Sequence, residues 1–141
     1  MNSTATIFAR LAGVSASLST HNGTPAIFSE RAPDDFLDAP PERPFIIIAA
    51  PTRDEPLETF TEVGRAVVQD IRCYQRDNGS SRELDDVMQS VRTLFHNRPE
   101  ELSVIGGKCD LSRVSGPIQS PTSDESMIGR RLTLRLDLIQ D

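Results

Sequence analysis

Two histidines, two cysteines and five adjacent carboxylate pairs are the groups in this chain with the chemistry for proton transfer, metal binding or nucleophilic attack. Zinc sites in helices need imidazoles one turn apart, as in HExxH, so that both project from one face. His21 and His96 have no partner at such a spacing. His21 falls in a polar loop, and His96 near the end of a helix, where a cation is favoured by the dipole. Capping and surface roles are expected for both. Cys73 and Cys109 form no CxxC and have no Cys or His companion, which reads as buried thiols in a reducing compartment.

Carboxylate pairs serve glycosidases and metal enzymes. Here Asp34-Asp35, Asp54-Glu55, Asp85-Asp86, Glu100-Glu101 and Asp124-Glu125 are neighbours in sequence. Adjacent positions on a helix point in different directions, so Asp85-Asp86 belongs to a solvated face. The other pairs lie in loops or beside a helix end. The loop Ser123 to Ser126 has room for a weak cation but lacks EF-hand spacing. Gly106-Gly107 lacks the Lys-Ser/Thr and the helix of a phosphate loop, and no GxSxG elbow occurs. The expectation is a protein that is not an enzyme, with no catalytic residue, metal site or cofactor.

Attention therefore moves to the elements. The 141 residues match one domain, since domains cluster near ~100–150 residues, and a single domain over 1–141 is expected. A net charge of −6 argues against a nucleic-acid grip, which depends on clustered cations. The cations are arginines apart from Lys108, and they are spread along the chain. Arginine suits fixed pairing with carboxylates at interfaces. The longest apolar run, Phe45 to Ala50, is too short for a membrane span. Met1 to Arg10 has no basic region followed by an apolar core, so no secretory signal is read. Assembly in the cytoplasm, with no membrane partner, is expected.

Ile7, Phe8 and Leu11 recur at helical spacing before Gly13, predicting a helix from Ser3 or Thr4 to Ala12. Val14 to Thr24 is polar, with an Asn22-Gly23 turn signal, and reads as a loop. A short strand, Ala26 to Ser29, follows. Arg31 to Pro44 holds Pro33, Pro40, Pro41 and Pro44, which predicts an extended connection that is neither helix nor strand. Phe45 to Ala50 suits a central strand buried on both faces. Pro51 to Thr61 reads as an acidic loop. Glu62 to Tyr74 reads as a strand with an apolar face of Val63, Val67, Ile71 and Cys73, interrupted by Arg65 and Gln69.

The strongest helical pattern follows. Ser80 and Glu83 have capping-box spacing, and Leu84, Val87, Met88, Val91, Leu94 and Phe95 form one apolar stripe ended before Pro99. A hairpin is predicted from Leu102–Ile105 and Lys108–Val114 about Gly106-Gly107. Gly116 to Ser126 reads as a loop. The last strand alternates Leu132, Leu134, Leu136 and Leu138 with Arg131, Thr133, Arg135 and Asp137, the period-two signature of a half-buried antiparallel strand. The fold class is α+β, a mainly antiparallel sheet with two helices packed on one face, in the order α-β-β-β-α-β-β-β.

Long, polar, proline-bearing connections at 30–44, 51–61 and 116–127 are unusual in so small a domain. Proline lowers the entropy lost when such a loop settles against a neighbour. The outward face of the last strand, Arg131, Thr133 and Arg135, is cationic in an acidic chain. Acidic loops opposite a basic strand face suit head-to-tail contact between copies, a homo-oligomer that closes into a ring.

A family resemblance rests on this layout. The N-terminal helix is followed by Ile27-Phe28-Ser29-Glu30-Arg31-Ala32-Pro33 and by a Pro44-Phe45-Ile46-Ile47-Ile48 strand. A long strand then ends in Tyr74-Gln75-Arg76-Asp77, and an amphipathic helix runs to Phe95-His96 before the closing strands. Over nearly the whole chain this resembles the tail terminator (tail completion) proteins of siphophages and gene transfer agents. Two features depart from the pattern: the polar Arg65–Tyr74 strand and the proline-rich Arg31–Pro44 segment. Loop detail is therefore not carried over.

The resemblance implies a structural subunit of a hexameric ring in the virion tail or neck. That ring caps the head-proximal end of the tube, ends tube polymerisation and joins tail to head. Its implied partners are the tail tube protein and a head completion (stopper) protein, with DNA passing through the channel without sequence-specific binding. The family supplies no catalytic residue. Six copies at −6 carry about −36, enough to shape the field of a narrow lumen. Arg53, Asp54, Glu55, Glu58, Asp124, Glu125, Arg131 and Arg135 are the expected interface or lumen residues. Two alternatives are another head-tail connector, such as a head completion protein, and a small ligand-binding regulatory module.

Overall fold

The computed structural model describes residues 2–38, 41–58, 63–122 and 124–141. Pro40, residues 59–61 of the expected acidic loop, the expected strand start Glu62, and Ser123 of the expected cation loop lie outside them. The chain is α+β. Helix α1 spans Ser3–Leu11, with Asn2 as N-cap accepting a hydrogen bond from the Ala5 N–H, and a 3₁₀ stretch, Ala12–Ser17, continues it. Strands β1 (Thr20–His21) and β2 (Thr24–Pro25) form a small separate hairpin. Its Asn22-Gly23 turn holds both residues at positive φ.

The main sheet contains β3 (Ile27–Ser29), β4 (Phe45–Ile48), β6 (Val63–Arg76), β8 (Met127–Gln140) and β7 (Gly107–Gln119) in that spatial order, and β5 (Arg53–Glu58) pairs with β6. Its pairs are antiparallel apart from β3 with β4. Between β3 and β4 lies a four-residue helix, α2 (Asp34–Leu37). Helix α3 spans Arg82–Phe95. None of the described helices is long and apolar enough to cross a membrane.

The alternation of β8 decides the layering. Leu132, Leu134, Leu136 and Leu138 are buried in the main core with Val67, Ile71 and Cys73 of β6 and with Ile46 and Ile48 of β4. Onto this side pack Ile7 and Leu11 of α1 and the full stripe Leu84, Val87, Met88, Val91 and Phe95 of α3. Each such side chain contributes roughly 1.5–3 kcal/mol when fully buried. Gln69, which breaks the apolar pattern of β6, is buried on this side for a reason. Its amide donates to the Ala49 carbonyl (2.8 Å) and the Thr4 hydroxyl (2.7 Å), and its oxygen accepts from the Ser3 hydroxyl (2.8 Å). It clasps the first turn of α1 to the sheet.

Several local expectations are corrected. The segment 51–61 is not simply a loop: residues 53–58 form β5, and Pro56 is tolerated because an edge strand has an unpaired side for its missing N–H. Arg31–Pro44 does admit a helical turn, because Pro33 precedes α2 and so costs it no intrahelical hydrogen bond. Leu102–Ile105 is not a strand. Leu102 packs into the core after a 3₁₀ turn, Pro99–Glu101, and the true hairpin is β7–β8, which takes in residues 116–119 of the expected loop. A bulge between Cys109 and Leu111 shifts which residues of β7 face inward, from Cys109 to Ser112 and Val114.

The Ser80–Glu83 capping box is also absent. Ser81 is the N-cap of α3, and its hydroxyl donates to Asp85 at 2.9 Å.

Candidate interface surfaces

The face of the sheet turned away from α1 and α3 is divided. Over β3 and β4 it is covered by residues 32–37, where Phe28, Phe36, Phe45 and Tyr74 form a second cluster around buried Ala26 and Ala32. The three phenylalanine rings meet edge to face, Phe36 lying 5.0 Å from Phe28 and 5.1 Å from Phe45, and Tyr74 lies tilted against Phe45. His21, expected at the surface of a polar loop, instead packs edge-on against Phe28 and Phe36. No pattern in the sequence marks this cluster, because its rings come from four separate segments.

Over β6, β8 and β7 the same face carries charge and, among the described residues, no helix. Arg131 and Arg135 of β8 are there, as the alternation predicts. The register adds two arginines that the sequence reading missed: Arg72 stands opposite Arg131, and Arg113 opposite Arg135. Like charges directly across a strand pair repel. Two carboxylates oppose the four guanidinium groups. Asp70 lies 3.7 Å from Arg72 and accepts from the Thr133 hydroxyl at 2.9 Å. Asp137 lies 3.4 Å from the Arg135 Nε. Among the described residues Arg113 and Arg131 have no ion-pair partner. The Nε atoms of Arg72 and Arg131 are buried without an acceptor.

The acidic site residues separate into two places. Arg53, Asp54 and Glu55 lie on β5, with Glu58 at its end. Arg53 pairs with Glu55 at 2.9 Å, and Asp54 pairs with Arg65, so this arm is largely neutralised within itself. Asp124 and Glu125 lie in the β7–β8 turn. There the Ser126 hydroxyl and N–H both donate to Asp124 (2.6 and 2.8 Å), which holds its carboxyl below the usual carboxylate range. The start of β6 pairs with the end of β8, and Arg76 pairs with Met127. Asp54 and Glu55 stand opposite Val67 and Ala66, nine to ten residues before Arg76, so about 30 Å of β6 at ~3.3 Å per residue separates the two acidic places. They do not form one patch.

The remaining candidates for chemistry are accounted for by packing. His96 is the C-cap residue of α3, and its Nδ1 accepts the Val114 N–H at 3.1 Å. Asp85 binds Arg130 at 3.0 Å, and Glu101 binds both Arg10 and Arg98. Cys73 and Cys109 are free and buried; burial pushes the Cys109 thiol up to about 11 and Cys73 higher still. Among the described residues no group of three His, Cys, Asp or Glu side chains is placed to hold a metal ion. An open apolar groove of about 200 Å³ is lined by Leu37, Phe45, Ile47, Tyr74, Pro121, Thr122 and Met127. Ligand pockets usually hold ~300–1,000 Å³ with convergent polar groups, and this groove is smaller and more open.

What these observations define is an α+β domain whose singular surface is a half-bare, arginine-bearing sheet face beside an acidic connection. No family model matches the chain, and no curated protein does. Among solved structures, a chain of the virion of a native gene transfer agent (GTA) particle is similar, with a TM-score of 0.68 at 11% identity. The match covers 96% of this chain and 92% of that one. At that identity the likeness is one of fold.

Proposed function

We propose that this protein is a structural, non-enzymatic component of a phage-like virion: a subunit of the ring, six copies by resemblance, that terminates the tail tube and joins it to the head. The observation that carries the reading is the fold shared along 96% of the chain with a protein of a gene transfer agent virion. Support comes also from the chemistry on the surface. The ionisable groups are engaged in packing and ion pairs, whereas the charge left over lies on broad faces of the kind that match other proteins. The β5 arm and the Asp124–Glu125 turn, well separated along β6, suit a subunit that meets a different partner ring at each, the tube protein below and a head completion protein above, with DNA passing between.

Deleting the gene from its particle and imaging the products tests the reading. Tails of uncontrolled length are the expected outcome. Tailless heads that leak DNA would instead assign the chain to the head side of the neck, and particles of normal form would overturn a structural role.

A further inference from the structure

The cationic half-face is built at a cost that a lone subunit does not recover. Two arginine pairs face each other across β6–β8 and β7–β8, and two buried guanidinium nitrogens lack acceptors. Those Nε atoms are closed to a docking group, but Arg113 and Arg135 are exposed and the Arg72 side chain is partly so, and a neighbouring carboxylate that accepts from their accessible nitrogens relieves the like-charge contact. The face therefore fits an acidic occupant.

The chain carries such an occupant on its other flank. Asp34, Asp35 and Asp38 line the exposed side of α2 and the residue that follows it. Their neighbours within the chain are loose: Arg31 is 3.8 Å from Asp34, with both side chains at least 80% exposed, and the His21 ring is 3.9 Å from Asp35. The backbone here is held firmly. Phe36 and Leu37 anchor it on the β3–β4 half of the face, so the carboxylates project from a fixed support, which lowers the entropy lost on docking. By contrast, Asp54 and Glu55 of β5 already have partners.

We infer that Asp34, Asp35 and Asp38 of one copy seat on the Arg72–Arg131 and Arg113–Arg135 pairs of the next copy, which rests on the ring reading above. The strand order β3-β4-β6-β8-β7 puts knob and socket on opposite flanks of one face. Two different patches that join in this way make a head-to-tail contact, which propagates until it closes. Within the assembled ring the arginine face would then be covered along its full width, by the chain's own segment over β3 and β4 and by its neighbour's over β6 to β7.

The substituted positions are exposed. Asp34→Lys/Asp35→Lys reverses the knob, and Arg113→Glu/Arg135→Glu reverses the socket, with chemical denaturation checking that each variant stays folded once the Arg135–Asp137 pair is lost. Native mass spectrometry and sedimentation would follow association as concentration is raised until the wild-type chain assembles. Each reversed variant alone is expected to associate at least ~100-fold more weakly, since like-charge contact at an interface costs several kcal/mol. An equimolar mixture of the two variants is expected to recover closed assemblies of alternating copies, because each Lys knob then meets a Glu socket and each Asp knob an Arg socket.

Rings that form unchanged from both variants would overturn the inference and leave the ring reading standing. A two-fold dimer in the mixture would overturn the head-to-tail arrangement. A wild-type chain that never associates would overturn both. If the socket variant self-assembles normally and loses only its hold on purified tube protein, the face belongs to that partner and the inference fails.

Discussion

The two faces of the sheet are made of the same strands and yet solve different problems. On the helix side, every second residue of β8 from 132 to 138 is a leucine, and α1 and α3 cover the surface; of the two buried glutamines of β6, Gln69 has its amide group fully engaged, and Gln75 donates to the Ser80 carbonyl. On the other side, the intervening residues of β8 are Arg131, Thr133, Arg135 and Asp137, and cover extends only over β3 and β4. The first face is finished within one chain; the second is left half open. That difference separates what holds the fold from what is free to meet another molecule.

The largest losses are expected in the core. Phe95→Ala removes a fully buried ring between α3 and the sheet, and a loss of about 3–5 kcal/mol is expected, measured by chemical denaturation. A loss under 1 kcal/mol would mean that α3 is not essential cover. Gln69→Leu comes next. It leaves the Ala49 carbonyl and the Ser3 hydroxyl without their partner, and about 1–3 kcal/mol should be lost, with faster hydrogen exchange in α1 ahead of the sheet. Retained stability and protection would show that the clasp is dispensable.

On the opposite face the effects should be smaller and local. Phe36→Ala deletes three ring contacts of a half-buried side chain, at the low end of ~0.5–1.5 kcal/mol per pair and so roughly 1.5–2 kcal/mol in total, with raised exchange confined to residues 30–38 and α3 protection unchanged. Loss of α3 protection would join the two clusters into one cooperative unit. The smallest effect concerns pH. Burial raises the Cys109 thiol from 9.0 to about 11, so the folded state favours the neutral form. Its contribution is complete below pH 9 and is lost as pH rises toward 11. Melting temperature should fall over that window, and Cys109→Ala should make the fall shallower. An identical slope in the variant would show that the thiol is not responsible.

Legibility followed periodicity. Helix α3 and strand β8 stood out because one side of each is buried along its length, which stamps a 3.6 or a 2.0 repeat on the sequence. Strand β5 was hidden because an edge strand half in solvent need not alternate, and Arg-Asp-Glu-Pro-Leu-Glu looks like a loop. The β7 strand lost its alternation at the Cys109–Leu111 bulge, where one extra residue exchanges inside for outside. As for the candidate surface, Arg131 and Arg135 were visible as the polar phase of β8. Arg72 and Arg113 were not, since only strand register tells which residue stands across from which.

From the residues alone came the α+β class, the principal helix, the closing strand with its leucine and arginine phases, and the lack of any spacing suited to catalysis. Those are properties of local repeat and side-chain type, which a linear chain carries in plain order. Tertiary structure decided the rest: that four arginines gather on one half of a face, that four rings from distant segments pin α2 beside them, and that the two acidic sites lie well apart along β6. Each of these depends on pairing between segments far apart in the chain, and pairing energy belongs to the contact and not to either sequence by itself.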